Sequence, residues 1–436
     1  MKTLILALFF ILCIGNVHSQ SYYMERPEGF GAATTGGGNA PPVTVFTYTD
    51  LKAKLKLATP QVILVSGTIT IPAGQSISEV VTNKSLIGLP EARLVNTDQT
   101  KAGSGILNLK DGSHNVIIRN LIFEGGGAYD VDGRDNLTSD GCINLWVDHC
   151  EFQDGVDGNF DIKGNSDNIT VSWCKFTYLK PPKAGGPGGS NDHRFSNLVG
   201  SSDTDAPADG HYSVTFQNCY WADGCRERMP RARNAELHIL NCYYNTNISS
   251  SRALGISGGV NTSTCYVENS DFEKIGTVYR NYGGTVAINF ENCLNGASNI
   301  GTVAPPPYAY TKFPVEDVAH FVSDSSCGAG ATLQVTSSGE ISSKCESLGI
   351  EEHSKFGLKY YPTLIDDLFH IEFQPQHHSN AIFTLYSMSG QELYTKSIDI
   401  QSNSRASFNL GHYPQGIYFG TLKIGNTYET IRLIKK

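Results

Sequence analysis

The chain has too little positive charge to coat a nucleic acid. Its 436 residues carry 33 Lys and Arg against 42 Asp and Glu, a formal net charge of -9. Binding along a polyanionic duplex needs a basic surface, so no nucleic-acid partner is expected. Charged residues of both signs are scarce at 17%, and no long stretch repeats apolar residues at helical spacing. A helical or disordered chain would read differently. Apolar runs long enough to span a bilayer are also missing. The run from Leu4 to Ile14 follows Lys2 and precedes the small residues of Val17-His-Ser19. It is too short for a membrane span and reads as a secretory signal removed after about Ser19. Cys13 lies inside it without the Gly-Cys order of a lipoprotein site. No Cys/His set has zinc spacing.

Forty-five glycines and 10% aromatics point instead to a turn-rich all-β chain. One pattern recurs: a short β-branched strand, a polar or small residue, an aromatic, then a turn. It runs through Val116–Phe123, Leu145–Phe152, Ile169–Phe176, Val214–Trp221, Leu237–Tyr244 and Cys265–Phe272, and ends at Val286–Cys293 without the aromatic. The anchors Phe123, Phe152, Phe176, Trp221, Tyr244 and Phe272 are 29, 24, 45, 23 and 28 residues apart. A period in the twenties built from strands is the signature of a parallel β-helix, whereas a sandwich would show strands without a constant period. The 45-residue gap reads as two periods, with a degenerate copy near Phe195–Val199. Ten cysteines remain after cleavage. Of these, Cys150, Cys174, Cys219 and Cys242 fall at equivalent positions, which fits stacked thiols at least as well as bridges; Cys327 and Cys345 are the best disulfide candidates. Extra residues must leave the coil as loops, and such loops commonly carry function. The longest are 124–141, 178–209 and 222–234, all with charged residues.

The repeat stops before the C-terminal end. Short alternating strands such as Ile382–Tyr386 and Gly416–Lys423, with turns at Ser389-Gly390 and Gly425-Asn426, suit a small β-sandwich. The expected organisation is a signal peptide over 1–19, a β-helix over 20–336, a linker over 337–354 and a sandwich over 355–436.

Two charge clusters carry candidate chemistry. The first is Arg226-Glu-Arg-Met-Pro-Arg-Ala-Arg233, four arginines in eight residues of an acidic protein. Set between two strand-like segments, it suggests one anionic ligand held at one place; arginines paired with surface carboxylates are the other reading. The second is a pair of acidic segments, Asp130–Asp135 and Asp154–Asp161, one coil apart and followed by Lys163. Stacked carboxylates repel unless a cation lies among them, and hard oxygen ligands suit Ca²⁺. The spacing is not that of an EF-hand, and solvated Asp-Gly turns give the same pattern. A Ca²⁺ site beside a basic patch would let an acidic protein hold an acidic polymer.

In order along residues 29 to 330, several motifs resemble the polysaccharide lyase family 1 pectate lyases. They are Gly31–Gly38, Val62–Gly67, Asn115–Asn120, Trp146-Val-Asp-His149, Asp157–Ile162, Val171-Ser-Trp173 and Arg228–Arg233. The resemblance implies a right-handed parallel β-helix that cleaves polygalacturonate (pectate) by β-elimination with Ca²⁺ as cofactor. It implies Arg228 as the base taking the C5 proton, and Arg233, with Arg231, Lys163 and Lys180, as substrate-binding groups. It implies Asp135, Asp157 and Asp161 as calcium ligands, with Asp132 a further candidate because the family's acidic position falls on Gly133. Arginine is ordinarily always charged, so the residues alone equally allow Arg228 a purely electrostatic role. The C-terminal region resembles the type A sorting domain of the type IX secretion system through Tyr361-Pro362, Ser389-Gly390, Gly416–Phe419 and Lys435-Lys436, although Thr363 replaces the usual Asn. That implies a partner in the type IX machinery and a secreted or outer-surface location for a monomeric enzyme.

Other readings stay open beside this one. Pectin lyase on methylated chains would lack the acidic cluster. A polygalacturonase would need paired catalytic Asp motifs that are absent, and a non-catalytic pectin-binding protein would lack the basic arm. Asp148 and His149 look like a catalytic pair, but their place after a strand favours a structural histidine. Trp146, Trp173 and Trp221 sit at repeat positions and are expected to pack.

Overall fold

The computed structural model describes residues 21–345 except 102, 104 and 134, and beyond them 359–361, 364–365, 368–372, 380–399, 405–425 and 427–435. The expected signal peptide, the second half of the expected linker and the Pro362-Thr363 motif lie outside the described residues. The described chain forms two compact units, one over 22–344 and one from Cys345 onward.

The first unit is a parallel β-helix. A full coil contributes one strand to each of three sheets, and the ten-stranded sheet extends beyond the two eight-stranded ones. A representative coil runs Ile143–Asp148 in the ten-stranded sheet, Glu151–Gln153 in the second sheet and Phe160–Lys163 in the third, before Asp167–Ser172 begins the next coil. Parallel pairing keeps the register, so Phe152 faces both Phe123 and Phe176. The recurring aromatics therefore form one interior stack through Phe123, Phe152, Phe176, Trp221, Tyr244 and Phe272, with ring centroids 4.4 to 5.4 Å apart. Each pair adds about 0.5–1.5 kcal/mol beyond the area it buries.

The corner after each strand of the ten-stranded sheet explains the repeated asparagine. Asn120, His149, Trp173, Asn218, Asn241, Asn269 and Asn292 all take a left-handed backbone, with φ between 45° and 56°. Asparagine tolerates that region better than other non-glycine residues. Its amide then bonds across coils, as from Asn241 to Asn218 at 3.0 Å. The next position holds Cys150, Cys174, Cys219 and Cys242, all free and buried. Burial, then neighbouring thiols, push Cys174 and Cys219 well above the ordinary thiol range, so they stay protonated packing groups. Cys327 and Cys345 are each disulfide-bonded.

One expectation is corrected. The 45-residue gap holds no second coil. Phe176 stacks directly on Trp221 at 5.4 Å, and Asp167–Ser172 pairs directly with Tyr212–Gln217. The segment around Phe195–Val199 is the third side of that same coil, with Leu198–Val199 joining the third sheet between Phe160–Lys163 and Arg231–Ala232. A long loop before this strand lengthened the gap and mimicked a lost repeat.

Helices are few and short, Tyr48–Leu55 and Val315–Ser323. Leu51 and Leu55 of the first join the β-helix core. In the second unit, an antiparallel three-stranded sheet and a five-stranded sheet share one apolar core that includes Phe369, Phe383, Phe408, Leu422 and Leu433. This is the expected sandwich.

The stack yields a stability prediction. Phe152→Ala removes a fully buried ring held on both faces and should cost about 3–5 kcal/mol, read as a fall in the denaturation midpoint of the β-helix. A loss below about 1 kcal/mol would mean that the ladder does not support the coil.

Candidate active site

The acidic segments and the arginine knot converge on the third sheet. Register runs across it from Thr138 to Asp161, and from Leu198 to Arg231 to Gly255. Asp161 is tied to the Leu198 strand because the Leu198 amide donates to its Oδ1 at 3.1 Å. Asp135 stands just before the strand Leu137–Asp140 and accepts the Thr138 hydroxyl at 2.7 Å. Gly158 leaves room between the two carboxylates. A Cβ there would sit 2.9 Å from Asp135 Oδ1 and 3.0 Å from Asp161 Oδ1. Asp135 Oδ1 is buried and has no hydrogen-bond partner. Asp157 lies on the same turn as Gly158, its Oδ2 accepting the Gly133 amide at 2.8 Å.

These carboxylates repel one another. Burial, then Asp161 and Asp157, push Asp135 well above the usual carboxylate range. Burial also pushes Asp161 up, to about 6, against the pull of Arg228; Asp157 adds to the rise and Lys163 opposes it. An orphaned oxygen, a glycine cradle and three like charges fit a hard cation such as Ca²⁺, for which carboxylate oxygens are the ordinary ligands.

Beside the pocket the arginine knot divides. Arg226 turns to the Asp192 carbonyl at 2.7 Å and lies 3.9 Å from Glu227, so for this residue surface pairing was the correct reading. Arg228 has a left-handed backbone with φ 60°. Such a conformation costs an arginine about 1–3 kcal/mol and persists only where neighbours enforce it. Here the Arg228 carbonyl accepts the Asn197 amide at 2.6 Å and the Met229 amide donates to Ala253 at 2.9 Å. The guanidinium rests 4.7 Å from the centre of the Phe195 ring. Arg231 lies 4.3 Å over Tyr282, and Arg233 bonds the Gly200 carbonyl at 2.7 Å and Asp203 at 3.2 Å. Burial and the charges of neighbouring arginines lower both Arg231 and Arg233, with Asp203 opposing the shift at Arg233.

The structure thus brings together Asp135, Asp157, Asp161, Lys163, Arg228, Arg231 and Arg233. It does not bring in Asp132, which is exposed on a turn while the neighbouring Gly133 amide makes the contact to Asp157. Lys180 is committed elsewhere, its amine 3.2 Å from Glu124, 3.8 Å from Asp154 and 2.7 Å from the Gly125 carbonyl. Two residues that sequence reasoning missed, His193 and Phe195, sit beside the cluster. His193 was signalled only by its place in the longest charged excursion, and Phe195 was read there as part of a degenerate repeat.

Asp148 and His149 are structural. His149 Nδ1 is 2.9 Å from Asp148 Oδ2 and its Nε2 is 3.0 Å from the Tyr22 carbonyl; both residues are fully buried. Asp148 also takes Arg119 and Ser172. Trp146, Trp173 and Trp221 are buried packing residues as well.

Comparison with known proteins agrees with this geometry. Residues 17–313 match the family model described as pectate lyase, and residues 359–436 match a secretion system C-terminal sorting domain. A pectate trisaccharide-lyase from Thermotoga sp. (strain RQ2) is 35% identical over 246 residues, covering 54% of this chain and 58% of that protein. The chain thus spans somewhat over half the length of that relative. Pectate lyase plyB of Emericella nidulans is 30% identical over 289 residues, covering 63% of this chain and 79% of that protein. Among solved structures, a pectate lyase bound to hexasaccharide superposes with a TM-score of 0.55 at 19% identity, covering 73% of this chain and 99% of that one. A Bacillus sp. N165 pectate lyase in complex with trigalacturonate gives 0.51 at 21% identity, covering 67% and 96%. The family match extends over well more than half of the sequence and contains every residue of the cluster, so this chain belongs to the pectate lyase family.

Proposed function

We propose that the chain is an exported, calcium-dependent pectate lyase. Its substrate is α-1,4-polygalacturonate, and its products are 4,5-unsaturated oligogalacturonides formed by β-elimination. The observation that carries this reading is the meeting of Arg228 with the aspartate pocket: two consecutive amides reach both, Asn197 donating to the Arg228 carbonyl at 2.6 Å and Leu198 to Asp161 Oδ1 at 3.1 Å. The pectate lyases similar to this chain and the sorting-domain match support the substrate and the export through type IX machinery.

The residues divide the chemistry among them. Asp135, Asp161 and Asp157 would hold Ca²⁺, which when bound supplies positive charge against the enolate-like charge that develops on the uronate. Lys163, Arg231 and Arg233 hold carboxylates of the polymer. Arg228, in its neutral form, which alkaline pH favours, takes the C5 proton. The C–H electron pair becomes the C4–C5 double bond, the C4–O bond breaks, and the departing oxygen acquires a proton. Water is not consumed, so the paired acid and base carboxylates of a hydrolase are not needed.

An assay of product absorbance on polygalacturonate, with and without chelator, tests the reading. Chelator-sensitive formation of the unsaturated chromophore supports it. A hydrolase gives reducing ends without the chromophore, a pectin lyase ignores the chelator, and a binding protein gives neither.

Arg228→Ala should lower kcat about 10²–10⁴-fold, the range for loss of a positioned proton acceptor, with the unfolding midpoint unchanged. Activity within a fewfold of wild type would remove Arg228 from the chemistry.

Calcium affinity should depend on pH through Asp161. With a folded pKa of about 6, above the ordinary carboxylate value of about 3.9, the metal-free folded chain holds a proton that the unfolded chain has released. That contribution to stability is complete below about pH 4 and is lost as pH rises to about 6. Calcium must displace the proton, so calorimetry should show weaker binding at about pH 5 than at about pH 8. Equal affinity at both would place the ion elsewhere.

A further inference from the structure

We infer that His193 is a positioning residue, which aims Asp157 at the carboxylate pocket and braces Arg228 through the ring of Phe195. The inference rests on the calcium-dependent reading above and assigns a role to a group which that reading does not use.

Three loops from successive coils meet at His193. Asp130 comes from the loop before Leu137–Asp140, Asp157 from the loop before Phe160–Lys163, and His193 from the loop before Leu198–Val199. The histidine is 4% exposed. Its Nδ1 lies 3.1 Å from Asp130 Oδ1 and its Nε2 lies 3.2 Å from Asp157 Oδ1. These are ion-pair distances without aligned hydrogen-bond geometry. The second oxygen of each carboxylate is fixed by backbone: Ser190 donates to Asp130 Oδ2 at 2.5 Å, and Gly133 donates to Asp157 Oδ2 at 2.8 Å. Asp157 therefore has one oxygen on the Gly133 amide of the preceding loop and the other beside the imidazole. These two contacts set the orientation of the carboxylate whose charge acts on Asp135 and Asp161.

Asp130, Asp157 and His193 together also resemble a metal-binding trio, since one ligand atom from each lies within 4.8 Å of the others. The carboxylates are already committed, each spending its second oxygen on a backbone amide, Asp130 on Ser190 and Asp157 on Gly133, which favours the positioning role.

The other face of the arrangement leads to Arg228. The His193 and Phe195 rings are 4.1 Å apart, and the Arg228 guanidinium lies 4.7 Å from the Phe195 centroid. Phe195 is pinned through its backbone, pairing with Glu227 and accepting the Tyr178 hydroxyl at its carbonyl at 2.5 Å. Two tilted rings thus connect a pocket carboxylate to the assigned base. Removing the imidazole frees Asp157 Oδ1 and takes away the support beneath Phe195.

The test uses the full chain with His193→Ala, His193→Gln and Phe195→Leu. Calcium affinity is measured by calorimetry, kcat and KM on polygalacturonate at saturating calcium, and folding by the thermal midpoint. His193→Ala should weaken calcium binding about 10–100-fold, the usual cost of losing a group that orients a ligand, and lower kcat with KM nearly unchanged. His193→Gln, which can still reach a carboxylate, should recover part of the affinity; it also decides the question if the alanine variant does not fold. Phe195→Leu should lower kcat and leave calcium affinity alone. Wild-type affinity and kcat in both histidine variants, while wild type itself binds calcium and cleaves, overturns this inference only. A wild-type chain that binds no calcium overturns the functional reading and this inference together.

Discussion

Each strand of the third sheet bonds in parallel to its counterpart one coil away, so lateral position is set by register rather than by distance along the chain. Successive strands lie about 4.8 Å apart. Asp135 and Asp161 become neighbours across one such step, and Arg231 reaches the same line two steps later through Leu198. Without that register the carboxylates and guanidiniums would be scattered over a hundred residues of sequence.

What the register brings together is unfavourable by itself. Three aspartates share a buried corner with one orphaned oxygen, and their mutual repulsion opposes ionisation. The fold tolerates this because the aromatic stack, the left-handed corners and the interior thiols supply stability elsewhere in every coil. Left-handed strain at Arg228 is sustained in the same way, by backbone bonds from the coils on either side. Strain and repulsion at one place, on a rigid and repetitive frame, are the mark of a functional site.

Much of this was legible in the sequence, for a physical reason. Interior positions repeat because coils stack, so Phe152 and Cys174 announced their places before any coordinates. Arg228 and Asp161 were legible because charge is rare in this chain and clusters where it occurs. Loops were the weak point. The segment 178–197 hid the third side of its coil, and its length made one coil look like two. Lys180 and Asp132 fell in such loops, where register gives no guidance; Lys180 turned to Glu124 and Asp154 instead. His193 was invisible for the same reason, since its partners come from two other loops.

A crystal structure of the chain grown with calcium tests the central claim most directly. The account predicts one ion over Gly158, with oxygens of Asp135 and Asp161 at about 2.3–2.6 Å and the Arg228 guanidinium on the same wall of the groove. An ion bound away from these carboxylates, or Arg228 facing the opposite wall, would contradict it.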